Sequence, residues 1–180
     1  MAIVRGTAGK TLIGKSLKTM LFGLDKDFHA VSKGMQGERR VGKELKKLPE
    51  GWRIWHDLDI GGENLDHVVA SAKGVFVVEA KNYAGSVLAT PKGLYTHGQK
   101  KPNDKVTKQV WRQVYKLNDL LEGQFVLPVL VFTNEVKGYK AKGISCMTLE
   151  RLVPFLRDHK NRLSYEEARR LFATLGELTK

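Results

Sequence analysis

An α/β domain built on a mixed sheet is the fold this sequence predicts. Three features predict it. Two pairs of short apolar runs flank turn-prone residues, as β-hairpins do. Residues 125–132 are almost wholly apolar, as in a central strand covered on both faces. Interleaved segments repeat their apolar residues at helical spacing. Hairpins early and a βα pattern late imply a mixed sheet. At 180 residues, one full core is expected. We assign it to residues 34–180, behind a basic N-terminal arm of residues 1–33.

Within the arm, Ile13, Leu17, Met20, Leu21 and Leu24 recur at helical spacing. Such a segment packs on the domain, touches phosphates or lies on a membrane surface, with packing favoured. Lys15 and Lys18 interrupt it, unlike a secretory signal. Gly6-Thr7-Ala8-Gly9-Lys10-Thr11 is too short by two residues for the G-x-x-x-x-G-K phosphate loop, and no strand precedes it.

A helix is expected over residues 35–48, with Val41, Leu45 and Leu48 as its apolar stripe and Pro49-Glu50-Gly51 as its stop. Glu38 lies three residues before Val41, on the same side. It either points inward or rests exposed in the first turn, where the helix dipole favours it. Residues 52–60 read as a strand in which His56 and Asp57 sit at the rim, and Gly61-Gly62 turns the chain.

Residues 65–81 carry the strongest hairpin signal. Val68-Val69-Ala70 and Val75-Phe76-Val77-Val78 flank Ser71-Ala72-Lys73-Gly74. If Ala70 faces Val75, then Val68 faces Val77 and Asp66 faces Glu79. Lys81 falls on the same sheet face as Glu79. Opposed residues stand with β-carbons roughly 5 Å apart. A second hairpin spans 86–90 and 94–97 around Pro91-Lys92-Gly93.

A helix over 104–121 follows, with Val106, Val110, Val114, Leu117 and Leu121 on its buried face and Gly123 as its stop. Gln109 and Gln113 share another face; they bind phosphate or water, or are solvated, and for Gln113 we expect the solvated face. Pro128 inside the run 125–132 suggests a bulge or a strand end. Residues 144–147 form a short strand, and a helix opens at 148–156. Ser164 with Glu167 forms a capping box for a last helix carrying Ala168, Leu171, Phe172, Leu175 and Leu178.

Thirty-one Lys and Arg against 19 Asp and Glu give a net charge of +12. That balance points to a polyanion, nucleic acid before an acidic membrane surface, or simply to solubility. The densest basic stretch is Lys100, Lys101, Lys105, Lys108 and Arg112, the expected nucleic-acid contact. Cys146 is the sole cysteine, which excludes an intramolecular disulfide and a Cys-based zinc site and fits a reducing cytoplasm. No apolar run approaches the ~20 residues of a membrane span.

Two carboxylates face to face repel unless a cation lies between them. A hard divalent ion with oxygen ligands, Mg²⁺ or Mn²⁺, suits Asp66 and Glu79, with the Ala80 backbone carbonyl as a further ligand. Lys81 would then orient a water or stabilise a pentavalent phosphate, and the basic segment would bring in the nucleic-acid backbone. The opposing reading is a surface ion-pair network contributing about 1 kcal/mol or less.

Gly37-Glu38, Asp66-His67-Val68-Val69 and Gly74-Val75-Phe76-Val77-Val78-Glu79-Ala80-Lys81-Asn82-Tyr83-Ala84-Gly85 resemble the motifs of the NERD (nuclease-related) domain. The resemblance covers roughly residues 34–133. That family is placed in the PD-(D/E)xK nuclease superfamily. The resemblance implies a restriction-endonuclease-like core, a mixed four- to five-stranded sheet flanked by helices. It also implies an active site of Asp66, Glu79 and Lys81 with Glu38 reaching in from the first helix. Pro102 and Gln109 match a Pro…Gln element of the family, with a gap a few residues longer, and Leu65 replaces its usual Ile. The implied activity is Mg²⁺- or Mn²⁺-dependent hydrolysis of nucleic acid, DNA rather than RNA. A homodimer would let two such sites cut two strands. The alternative is a nucleic-acid-binding module without catalysis.

Overall fold

The computed structural model describes residues 1–10, 25–96 and 99–179. Among them a seven-stranded sheet runs in the order β1 (Ile3–Arg5), β2 (Arg53–Asp59), β3 (Asn64–Ser71), β4 (Gly74–Lys81), β7 (Val126–Phe132), β10 (Ile144–Thr148) and β9 (Lys140–Ala141). Strands β2, β3 and β4 are antiparallel neighbours; β4, β7 and β10 are parallel. A second sheet joins β5 (Val87–Thr90), β6 (Gly93–Thr96) and β8 (Val136–Lys137). The helices are α1 (Asp25–Leu45), α2 (Asp104–Leu120), α3 (Leu149–Asp158) and α4 (Tyr165–Glu177).

Period-two alternation sends successive strand residues to opposite cores. Val68, Val77 and Leu130 pack beneath α2 and α4, against Val110, Leu117 and Leu175. Val69, Phe76, Val78 and Val129 pack beneath α1 and α3, against Val41, Leu45 and Leu152. Each such fully buried side chain contributes about 1.5–3 kcal/mol, so the two-sided core can hold a few buried polar groups at one end of the sheet.

The central hairpin has the expected register: Ala70 pairs with Val75 and Val68 with Val77. The capping box is also present, Ser164 Oγ accepting from the Glu167 amide while Glu167 accepts from Ser164 N–H. Three features differ from expectation. The sheet has seven strands because short pieces, β1 and β9, add to its two edges. Helix α1 begins at Asp25, ten residues before the expected start. Gly34 lies inside the helix, and one glycine costs a helix only about 1 kcal/mol, less than the packing at Val41 and Leu45 returns. Pro128 is buried within β7 rather than at its end. It pairs with Val77 on one side and precedes the β10 ladder, which starts at Val129, so no partner on that side needs its missing N–H. The amphipathic pattern at 11–24 lies outside the described residues.

Candidate active site

The site forms where β3 begins and β4 ends. Continued by one residue beyond His67–Val78, the register sets Asp66 level with Glu79. Asp66 Oδ2 accepts the Ala80 N–H at 2.9 Å, which ties it to β4. Glu79 is 2 % exposed. Its Oε1 accepts from Lys81 Nζ at 2.5 Å and from Gln109 Nε2 at 2.9 Å. Its Oε2 is buried and has no hydrogen-bond partner among the described residues. Gln109 therefore does reach the site despite the longer gap. Pro102 anchors the segment before α2 by packing against Gly93, and Asn103 N–H donates to Leu94 O.

Glu38 reaches the same place from α1 and is buried. Its neighbour Gly37 explains how: a side chain there would stand 3.1 Å from Asn82 Cβ, so the helix approaches β4 only because position 37 has none. Asn82 clamps the contact, donating to Lys33 O at 2.8 Å and accepting from Thr133 Oγ1 at 2.6 Å. Gly9, from the supposed arm, donates its backbone N–H to the Glu38 carboxylate.

Burial first, then the charges of Asp57 and Glu79, push the Glu38 carboxyl from 4.5 up to about 7, against the pull of Lys81 and the Gly9 N–H. Burial and then the Glu79 and Glu38 charges likewise raise Asp66 well above the carboxylate range. Burial works against the Lys81 ammonium, but Glu79 and Asp66 outweigh it and raise its pKa. The site thus gathers more negative charge than one lysine balances. Together with the open Oε2 of Glu79, that is the electrostatic setting a divalent cation fits. Among the described residues, no three His, Cys, Asp or Glu already converge on one point. An ion here would draw on Asp66, Glu79, a carbonyl such as that of Ala80, and water or substrate oxygens, as Mg²⁺ commonly does.

Two site residues went unread in the sequence. Strands β2 and β3 pair His56 with His67 and Leu58 with Leu65, so Asp57 stands level with Asp66. Asp57 adopts φ 57°, accepts from the Asn64 amide, and its charge acts on Glu38. Carrying the hairpin register one strand further would have found it. Asn82 is the other, since its role depends on contacts with α1 and with Thr133, just past β7, that a local reading does not contain.

His56 was expected at the rim, but it is buried, with Nδ1 2.7 Å from His67 Nδ1. Gly42 of α1 makes the room: a Cβ there would lie 3.4 Å from His56 Cε1. Burial first, then the Lys46 charge, lowers His56 from 6.5 to about 4, while burial and then His56 hold His67 well below its usual value. Both rings are neutral near pH 7, one Nδ1–H donating to the other Nδ1.

Gln113 also departs from expectation. It is 1 % exposed and donates to Asn64 O at 3.0 Å, because its side of α2 packs over the β2–β3 connection rather than facing solvent. Lys100, Lys101, Lys105 and Lys108 are exposed at the start of α2 and before it. Arg112 is exposed but forks onto Glu63 through Nε–Oε1 and through Nη2–Oε2 at 3.1 Å.

This arrangement is a mixed-sheet α/β core with carboxylates and a lysine gathered at a strand end, the form of a PD-(D/E)xK nuclease core. The family model of the nuclease-related domain, NERD, matches residues 33–133, and the chain belongs to that family. The match spans every site residue from Glu38 to Gln109. An uncharacterized protein of Bacillus anthracis is 37 % identical over 73 residues, covering 37 % of this chain and 34 % of that protein. The chain thus spans about a third of the length of that relative. No solved structure matches the chain. Among the described residues, no helix is long and apolar enough to cross a membrane.

Proposed function

We propose that the chain is a Mg²⁺- or Mn²⁺-dependent nuclease that hydrolyses phosphodiester bonds, of DNA in particular. The observation that supports this best is the Glu79 carboxylate. One of its oxygens is held by Lys81 and Gln109, and the other is buried and open beside Asp66. Asp66, Glu79 and the Ala80 carbonyl would hold the ion. The ion would supply charge to the scissile phosphate and acidity to a bound water.

The chain's own residues would do the rest. Lys81 would position the attacking water and offset negative charge as it grows on the phosphate. Glu38, with a carboxyl near 7, is poised to accept the proton of that water. Gln109 would fix the orientation of Glu79, and Ala80 N–H that of Asp66. Lys100, Lys101, Lys105 and Lys108 would hold the nucleic-acid backbone, with Arg112 contributing less because Glu63 already engages it. A reducing cytoplasm suits the lone, buried Cys146.

The test is incubation of supercoiled, linear and single-stranded DNA with Mn²⁺, Mg²⁺ or EDTA, beside Asp66→Ala and Lys81→Ala. Cleavage that needs the metal and disappears in both variants, with DNA binding retained, is the expected result. Equal cleavage by wild type and both variants would sink the reading. A second reading, a binding module without turnover, draws on the net charge of +12, which attracts nucleic acid whether or not the site turns over. Calorimetric titration separates the two, since the module takes up neither Mg²⁺ nor Mn²⁺.

A further inference from the structure

Tyr115 is 62 % exposed on the outer side of α2. It is not a loose surface side chain. Its ring stacks on Trp111, with centroids 5.4 Å apart and planes 26° from parallel. Trp111 is itself fixed: Nε1 donates to Lys142 O at 2.9 Å. The indole also abuts Gly143, where an added Cβ would stand 3.1 Å from Trp111 Cζ2. The same turn is tied to the start of α2 by the Lys142–Asp104 ion pair at 2.7 Å. Tyr115 therefore has a rigid aromatic floor and an open outer side.

Toward the start of α2 the surroundings are cationic, while Asp119 lies one turn to the other side. Lys108 lies seven residues before Tyr115, two helical turns earlier on the same side, and Lys105 lies beyond it toward the helix start; both are exposed. The catalytic end of α2 is close. Gln109 touches Glu79, and Tyr115 follows six residues later, about 9 Å along the axis. A fixed, outward aromatic beside a lysine track is how proteins hold unpaired bases, because every base has a π-face to stack and the backbone needs only positive charge. In a duplex those faces are covered by neighbouring bases.

We propose that Tyr115, backed by Trp111, stacks an unpaired base, so that the substrate is single-stranded nucleic acid whose backbone passes Lys108 and Lys105 toward the site. The direction of that path rests on the nuclease reading; the stacking itself does not.

The experiment is fluorescence anisotropy in EDTA with a labelled single-stranded oligothymidine and a blunt duplex of equal length. Wild type, Tyr115→Ala and Tyr115→Phe are compared. Tyr115→Ala is expected to weaken single-strand binding about tenfold, with duplex binding unchanged and Tyr115→Phe close to wild type. Because Tyr115 is exposed, its alanine variant should melt like wild type, which thermal unfolding checks. Equal loss on both ligands, no loss on either, or no single-strand binding by wild type overturns the proposal. Parallel cleavage assays with Mn²⁺ keep the two readings apart. A protein that cleaves nothing but loses single-strand binding through Tyr115→Ala retains this inference and loses the nuclease one.

Discussion

Lys81 Nζ donates to Glu79 Oε1 at 2.5 Å, two residues away along the same strand face. The pair is largely enclosed, with the two side chains 19 % and 2 % exposed. An exposed pair of this kind would matter little. Here Gln109 Nε2 adds a second donor to the same oxygen at 2.9 Å, so the carboxylate is held in one rotation, and Oε2 has no partner among the described residues.

Removing that second donor should loosen the orientation without removing a ligand. Gln109→Ala is expected to lower Mn²⁺ affinity or turnover about 10- to 100-fold, the usual effect of losing a support behind a metal ligand. Metal titration with steady-state cleavage measures it. Unchanged values in both would show that Gln109 does not orient Glu79.

Glu38 makes stability depend on pH. Its folded carboxyl titrates near 7 instead of 4.5, so between those values the folded protein keeps a proton that the unfolded chain releases. Stability from this group is therefore greatest below about 4.5 and falls until about pH 7, by on the order of 3 kcal/mol. Glu38→Gln removes the fall. Relative to wild type, the variant should gain stability between pH 5 and pH 8 in EDTA, as measured by urea unfolding. A constant difference across that range would contradict the burial and repulsion assigned to Glu38.

The buried imidazoles act in the opposite sense. His56 titrates near 4 when folded, so its contribution is present above about 6.5 and is lost as pH falls toward 4. Replacing one ring leaves the other with an unpaired nitrogen in the core. His67→Leu should cost about 1–3 kcal/mol at pH 7, while His56→Phe with His67→Leu should cost less than the sum of the two single changes. Chemical denaturation of the two single variants and the double variant decides this; strict additivity would mean that the Nδ1–Nδ1 contact contributes nothing.

What the sequence revealed followed local rules. The Val68–Val77 register came from alternation and a short turn, and with it the meeting of Asp66 and Glu79. Asp57 followed from the same arithmetic, but a polar residue inside an apolar strand read more simply as rim. His56 and Gln113 were misplaced because their burial depends on what lies above them: Gly42 and Ala8 over the imidazole, and the β2–β3 connection beside the amide. Strand β1 was missed because three residues of a basic segment carry no period, and only the parallel ladder with Arg53, Ile54 and Trp55 makes them a strand.

Gly37 tests whether the helix must lie as close to β4 as it does. An alanine there favours the helix by about 1 kcal/mol. Its methyl group would stand 3.1 Å from Asn82 Cβ and 3.8 Å from Thr133 Cγ2, so α1 or Asn82 must give by a few tenths of an ångström. The two effects on stability oppose each other, and the melting temperature of Gly37→Ala should stay close to wild type. Activity should not. Glu38 is the next residue, and in the role proposed for it, accepting a proton from a bound water, a carboxylate tolerates little displacement, so kcat/KM is expected to fall at least about tenfold. Asn82→Gly in the Gly37→Ala background should recover part of the loss, since it removes the Cβ that the methyl group meets. Full activity in Gly37→Ala with a raised melting temperature would show that the Glu38 position is not set by this contact.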